Sequence, residues 1–128
     1  MPNHIVPQPV TLVQHAGVFS LTPDCIITAG ENALQTAALV QDLLAEVTGT
    51  RPALNPSWVK KGVPGFDLRL DPSLTGLGKE GYRLEVASDQ VTLRAANSAG
   101  LFYAVQTLRQ IVPSGGDTAI PCLEIEDA

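Results

Sequence analysis

The stretch EGYRLEVASDQVTLRAANSAGLFYAVQTLRQIV, residues 80–112, decides the fold. Tyr82, Leu84 and Val86 alternate with polar residues, and a second alternating segment follows a polar turn at 88–90. Because alternation places every second side chain on the same face of a strand, this pattern predicts a β-hairpin. The residues after the hairpin are apolar at helical spacing, so the second strand is predicted to lead directly into a helix.

The positions of the ten prolines indicate where helices can form. All ten lie outside two windows, 24–51 and 73–112, and a proline inside a helix costs about 3 kcal/mol. We therefore expect one helix in each window.

The first helix is predicted over residues 30–48. Thr28 and Glu31 have the spacing of a capping box at its start, and Gly49 follows its last apolar turn. The remaining strands are predicted at 10–13 and 18–21, joined through Gly17 with His15 in the turn, and at 25–29, 66–70 and 120–127. Residues 51–65 form a long connection with room for one short strand, and 114–117 form a turn. This order favours an α+β domain in which two helices pack on one face of a mostly antiparallel sheet.

Size and charge limit the possible functions. A chain of 128 residues is most simply one domain, and its formal net charge is −5. Lys60 and Lys61 are the nearest approach to a basic cluster, so we expect no nucleic-acid partner. No apolar run is long enough to span a bilayer, and the opening MPNHIVPQPV lacks the pattern of a signal peptide, so we expect no membrane partner and localisation stays open.

The cysteines and histidines do not predict a metal site or a cofactor. Cys25 and Cys122 are the only cysteines, both in apolar strand-like segments; buried thiols are the favoured interpretation and a disulfide the alternative. His4 and His15 have no second ligand at a metal-binding spacing, so we expect exposed imidazoles and no bound metal.

Both predicted helices are apolar around most of their circumference. In the second helix one side is apolar, and the following residues lie there: Leu101, Ala104, Val105, Leu108, Ile111 and Val112. Its opposite side carries Gln106, Thr107, Arg109 and Gln110, with Phe102 and Tyr103 among them. In the first helix a main apolar stripe includes Ala37 and Leu44. A second stripe holds Leu34, Ala38 and Ala45, leaving a narrow polar ridge of Glu31, Gln35, Asp42 and Glu46. Helices of this kind are usually buried on two sides, so we expect a partner to cover the side turned away from the sheet. The alternative is that contacts within the domain bury the second apolar stripe.

A resemblance to a known family rests on motifs in the C-terminal half and on a P-x-P segment, strand and G-x-F near the start. The sequence resembles the N-terminal accessory domain of β-N-acetylhexosaminidases of glycoside hydrolase family 20 over nearly the whole chain, with Ala104 where many members have glycine. The matching residues are Glu80, Gly81, Tyr82, Gly100, Phe102, Tyr103, Gln106, Thr107, Leu108, Gln110, Ile120, Pro121, Ile125 and Asp127.

The resemblance implies that residues 1–128 are one accessory domain and that a catalytic (β/α)8 barrel follows it in the parent protein. In the family an Asp-Glu pair of the barrel hydrolyses terminal N-acetylhexosamine residues by a substrate-assisted mechanism that retains the anomeric configuration. We therefore expect no catalytic residue in this chain, and we expect the glycan substrate to bind only through the parent protein. Glu124, Glu126 and Asp127 are interpreted as a solvated strand face. The two helices would lie between the sheet and the barrel. The residues expected to pack against the barrel are Leu34, Ala38, Phe102, Tyr103, Gln106 and Arg109.

The resemblance further implies a secreted or periplasmic parent and a zincin-like topology. A zinc peptidase needs two histidines one helical turn apart, and neither predicted helix contains one, so we discard a metalloprotease function. Two alternatives stay open: the accessory domain of another glycosidase, and an autonomous carbohydrate-binding module that uses Trp58, Tyr82 or Tyr103 as a sugar platform.

Overall fold

The predicted hairpin is confirmed in the computed structural model, which describes residues 11–21, 25–55, 65–77, 81–112 and 119–127. In chain order the strands are β1 Thr11–Ser20, β2 Ile26–Ala29, β3 Ala53–Asn55, β4 Gly65–Leu70, β5 Tyr82–Val86, β6 Gln90–Ala95 and β7 Ala119–Asp127. The α-helices are α1 Leu34–Thr48 and α2 Ser98–Ile111, and 3-10 turns occupy Glu31–Ala33 and Pro72–Leu77. The two expected helices and the short strand after residue 51 are therefore present. The predicted turn at 114–117 lies outside the described residues, as do His4, Trp58, Lys60 and Lys61.

The strands form one seven-stranded sheet in the order β1-β7-β5-β6-β4-β2-β3. The expectation of a mostly antiparallel sheet is wrong, because three of its six pairings are parallel: β2 with β3, β2 with β4, and β4 with β6. The antiparallel pairings are β1 with β7, β5 with β6, and β5 with β7. α1 connects β2 to β3 as a crossover, and a crossover of this kind returns the chain in a parallel direction. The sheet is therefore mixed within an α+β domain.

The helices cover one face of the sheet, which we call the inner face. α1 contacts β2 and β3, α2 contacts β4, β5 and β6, and the two helices contact each other. Alternate strand residues such as Ile27, Phe66 and Leu93 are fully buried there, and the rings of Phe19 and Phe66 meet edge to face at 5.4 Å. The core thus lies between the helices and the inner face, as the alternation predicted.

The first strand differs from the prediction. Instead of two strands joined by a turn, β1 is continuous and pairs with β7 on both sides of a register shift between Gln14 and Val18. Gly17 has φ +99°, a conformation open to glycine, and it permits this irregularity without reversing the chain. His15 consequently lies in a strand rather than in a turn.

The start of α1 also differs, whereas its end is confirmed. Thr28 is a buried residue of β2, and neither the 3-10 turn nor α1 has a side-chain capping bond, so the capping-box prediction is wrong. Gly49 ends α1 with φ +79°, and its N–H donates to the Ala45 carbonyl at 2.9 Å. Cys25 and Cys122 are buried and form no disulfide, as the favoured interpretation stated.

Candidate interdomain surface

The outer surface of the helical layer exposes large apolar side chains. Phe102 is 44% exposed, Tyr103 43% and Leu34 37%. The two aromatic rings contact each other edge to face with centroids 5.9 Å apart. Phe102 and Tyr103 thus form an exposed apolar pair, and contiguous exposed apolar side chains are typical of surfaces that meet another macromolecule, whereas single ones need no explanation.

The structure places the six predicted interface residues on or beside this surface. Phe102, Tyr103, Leu34 and Arg109 are exposed, while Ala38 and Gln106 are half-buried. α2 carries Phe102, Tyr103, Gln106 and Arg109, and α1 carries Leu34 and Ala38. We define these six residues as the helical surface: Leu34, Ala38, Phe102, Tyr103, Gln106 and Arg109.

Ion pairs also occur on the helical layer. Arg109 Nη1 lies 3.6 Å from Glu46 Oε2 and so joins the exposed sides of α2 and α1. Arg51, after the end of α1, binds Asp42 and also donates to Gln41 at 3.1 Å. The charged side chains of the helical layer therefore engage one another, whereas Phe102 and Tyr103 contact each other.

A close contact at the start of α2 sets which side of the helix faces outward. Gly100 lies so near the hairpin that an added Cβ would be 2.2 Å from the Gly81 carbonyl oxygen and 3.0 Å from the Ala95 Cβ. No side chain fits at that distance, so residue 100 must be glycine for α2 to sit against the hairpin. With Gly100 turned toward the sheet, Phe102 and Tyr103 point away from it.

A buried hydrogen bond holds the same helix further along. The Tyr82 hydroxyl lies 2.5 Å from Thr107 Oγ1, and both residues are buried. The expectation that Thr107 lies on the side opposite the sheet is therefore wrong. At 100° per residue Thr107 falls next to Ala104 and Ile111, and its position beside this stripe could have revealed its burial.

The opposite face of the sheet, which we call the outer face, is lined by charged residues in ion pairs. His15 Nε2 is 2.6 Å from Glu124 Oε2, and Arg83 is 3.5 Å from the other oxygen of the same carboxylate. Arg83 also pairs with Glu85 at 3.0 Å. The hydrogen bond with His15 is the main cause that holds the pKa of the Glu124 carboxyl below its ordinary value. These ion pairs could not be predicted from local sequence patterns, because their members come from three strands that are distant in the chain.

The described residues show no group of side chains suited to a metal ion. They contain no group of three or more His, Cys, Asp or Glu side chains that could hold a metal ion. Glu124 lies on the open outer face, and a depression of about 120 Å³ beside it is smaller than the roughly 300–1,000 Å³ of typical small-molecule sites.

Two further observations concern sugar and membrane binding. Tyr82 is buried, so its proposed role as an exposed sugar platform is wrong, and Trp58 lies outside the described residues.

Across the part of the chain that the structure describes, no helix is long and apolar enough to cross a membrane.

Comparisons with known proteins agree with this architecture. The fold is similar to that of a Streptomyces plicatus N-acetyl-β-hexosaminidase, with a TM-score of 0.85 and 28% identity over 98% of this chain and 26% of that one. It is also similar to the GH20 β-N-acetylhexosaminidase from Streptomyces coelicolor A3(2), with a TM-score of 0.85 and 29% identity over 99% of this chain and 26% of that one.

The sequence gives the same result. A β-N-acetylhexosaminidase of Cellulomonas fimi is 34% identical over 96% of this chain, and the chain spans about a quarter of that protein's length. The family model described as "Glycosyl hydrolase family 20, domain 2" matches residues 3–128. Because that match takes in nearly every residue and agrees with the fold, the chain belongs to glycosyl hydrolase family 20, as its accessory domain 2.

Proposed function

We propose that this chain is the non-catalytic accessory domain of a β-N-acetylhexosaminidase and that its helical surface packs against the catalytic barrel of the parent protein. The parent would hydrolyse terminal N-acetylhexosamine residues from glycans by a substrate-assisted, retaining mechanism carried out in that barrel. One observation carries the proposal: Phe102 and Tyr103 contact each other and are exposed on α2, and Leu34 is exposed on α1.

Energetics support a covering domain at this position. Burying apolar surface releases roughly 25 cal/mol per Å², and aromatic side chains offer the largest areas. Arg109 and Glu46 already pair with each other across the two helices, so covering this layer would not leave either charge without a partner. The relatives named above are about four times as long as this chain, so they contain the additional residues that a covering domain requires.

Hydroxyl-radical footprinting of the chain alone and within the longer parent protein tests the position of the interface. Phe102 and Tyr103 are expected to be oxidised in the isolated chain and protected in the parent. His15 on the outer face is the matched control, because it is exposed and should react equally in both proteins. Equal oxidation of Phe102 and Tyr103 in both proteins would remove the proposed interface.

The non-catalytic role has its own test. The chain alone is expected not to cleave an aryl N-acetylglucosaminide, whereas the parent protein should cleave it. Turnover by the purified chain, retained after a second purification step that excludes contaminating glycosidase, would overturn the assignment.

A further inference from the structure

Three arginines lie side by side on the outer face of the sheet. Arg83 of β5 is directly opposite Arg94 of β6, and Arg94 is directly opposite Arg69 of β4. Opposite residues on adjacent strands have Cβ atoms about 4.5–5.5 Å apart, and like charges in that position are destabilising. Three of the eight Lys and Arg residues of a chain with net charge −5 therefore form one row.

The outer two arginines are neutralised by neighbouring carboxylates. Arg69 Nε donates to both oxygens of Asp67 at 3.1 and 2.9 Å. Arg83 pairs with Glu85 at 3.0 Å and with Glu124 at 3.5 Å. The central Arg94 is exposed and forms no ion pair within the described ranges.

The carboxylates placed diagonally to Arg94 already bind other groups. From the strand register these are Asp67, Glu85 and Asp71. Asp67 and Glu85 bind the flanking arginines, as above. Asp71 Oδ1 accepts hydrogen bonds from Ser73 N at 3.0 Å and from Ser73 Oγ at 2.6 Å. These bonds are the main cause of the lowered pKa of Asp71, and the charge of Arg94 is a smaller one. Arg94 thus forms no ion pair in the described structure, and the Asp71 carboxylate, which Ser73 already engages, is a weaker electrostatic neighbour.

We propose that Arg94 is the centre of a binding site for a single oxyanion group, flanked by Arg83 and Arg69. A guanidinium group presents paired N–H donors that match the oxygen spacing of a sulfate, phosphate or carboxylate. Asp67 and Glu85 lie on either side of Arg94 and repel further negative charge, so the site suits one small anionic group and not a polyanion.

Nuclear magnetic resonance of the arginine Nε–H groups provides a direct test. Sodium sulfate is titrated into the chain while sodium chloride keeps the ionic strength constant. The Arg94 resonance should shift most and saturate, with smaller shifts at Arg83 and Arg69, whereas Arg51 on the helical side should not respond. Acetate in a parallel titration distinguishes a planar carboxylate from a tetrahedral anion. Non-saturating shifts of equal size at all four arginines, with both anions, would refute the site.

Thermal unfolding gives a second, independent readout. Sulfate stabilises proteins in general through exclusion from their surfaces, so the informative quantity is the difference between the wild type and Arg94→Gln. At a sulfate concentration equal to Kd, Tm of the wild type should rise by about 2 °C more than that of the variant. Arg51→Gln, the matched control, should retain the wild-type response. An equal sulfate response in the wild type and Arg94→Gln would overturn the proposal.

Discussion

The helical surface and the outer face of the sheet are both exposed, yet they are built in opposite ways. The helical surface exposes the large apolar side chains of Phe102, Tyr103 and Leu34, and Arg109 pairs with Glu46 of the neighbouring helix. The outer face places ion-paired residues such as Glu124 and Arg83 across its centre. Polar groups in a solvated face keep their water, whereas a cluster of aromatic rings gains free energy only when it is covered. This contrast is the reason for proposing that the helical layer, rather than the outer face, packs against the barrel.

The largest effect is expected from a substitution that changes how α2 packs against the sheet. Gly100→Ala would place a Cβ against the Gly81 carbonyl oxygen. A backbone atom cannot move away as easily as the end of a flexible side chain can. We expect a loss of about 3 kcal/mol in the free energy of unfolding, measured by urea denaturation. Gly76→Ala is the control, since nothing lies within 4 Å of its added Cβ, and it should change stability little. Equal stability of the two variants would contradict the close contact.

The next largest effect concerns the bond between the helix and the hairpin. Tyr82→Phe removes the hydroxyl that meets Thr107 Oγ1 and leaves a buried hydroxyl without its partner, at a cost of about 1–2 kcal/mol. A double-mutant cycle with Thr107→Val, followed by chemical denaturation, isolates the pairwise contribution. Additive losses in the double variant would show that the two hydroxyl groups do not stabilise each other.

A smaller effect on stability is expected at the helical surface itself. In the chain alone, replacing both Phe102 and Tyr103 by Ser should change the free energy of unfolding by only about 0.5 kcal/mol, because these side chains are already exposed. In the parent protein the same two substitutions should lower Tm clearly, because both side chains would be buried against the barrel. Val13→Ser with Val18→Ser is the matched control, because these valines are exposed on β1 and should have little effect in either protein. Equal Tm losses from both double variants in the parent would contradict the proposed interface.

The smallest effect is a dependence of stability on acid pH at the outer face. The pKa of Glu124 is lowered in the folded chain, chiefly by the hydrogen bond with His15, so its contribution is present above the ordinary value of 4.5. That contribution is lost as the pH falls through the lowered, folded-state pKa. Glu124→Gln should therefore flatten the decline of Tm on the acid side. The control Glu46→Gln, on the helical layer, should retain this part of the decline; a Glu124→Gln profile parallel to the wild type would argue against the contribution.

The local patterns of the chain predicted most of the elements but not how they pair. The alternation in residues 82–95 predicted the hairpin, and Gly49 predicted the end of α1, because both signals act over a few residues. The parallel pairings of β2 and β4 were missed, since link length does not specify which strands become neighbours. Gly17 was interpreted as a turn for a similar reason: its positive φ serves a strand irregularity as readily as a reversal.

The helical surface could be predicted in composition, whereas the outer-face ion pairs could not. Helical spacing is a property of one segment, so the positions of Phe102, Tyr103 and Leu34 on the side away from the sheet followed from counting residues. The group formed by His15, Glu124 and Arg83 joins three strands, with His15 and Glu124 separated by 109 positions in the chain. No local pattern carries that information.

Local patterns are enough to predict the hairpin, the two helices and the apolar character of the helical surface, because periodicity and turn chemistry operate within a single segment. The mixed strand order, the close approach of Gly100 to Gly81 and the row of Arg83, Arg94 and Arg69 are visible only in the folded chain. Each of these depends on which segments lie next to each other once the core has closed, and that arrangement is fixed by packing of the whole chain.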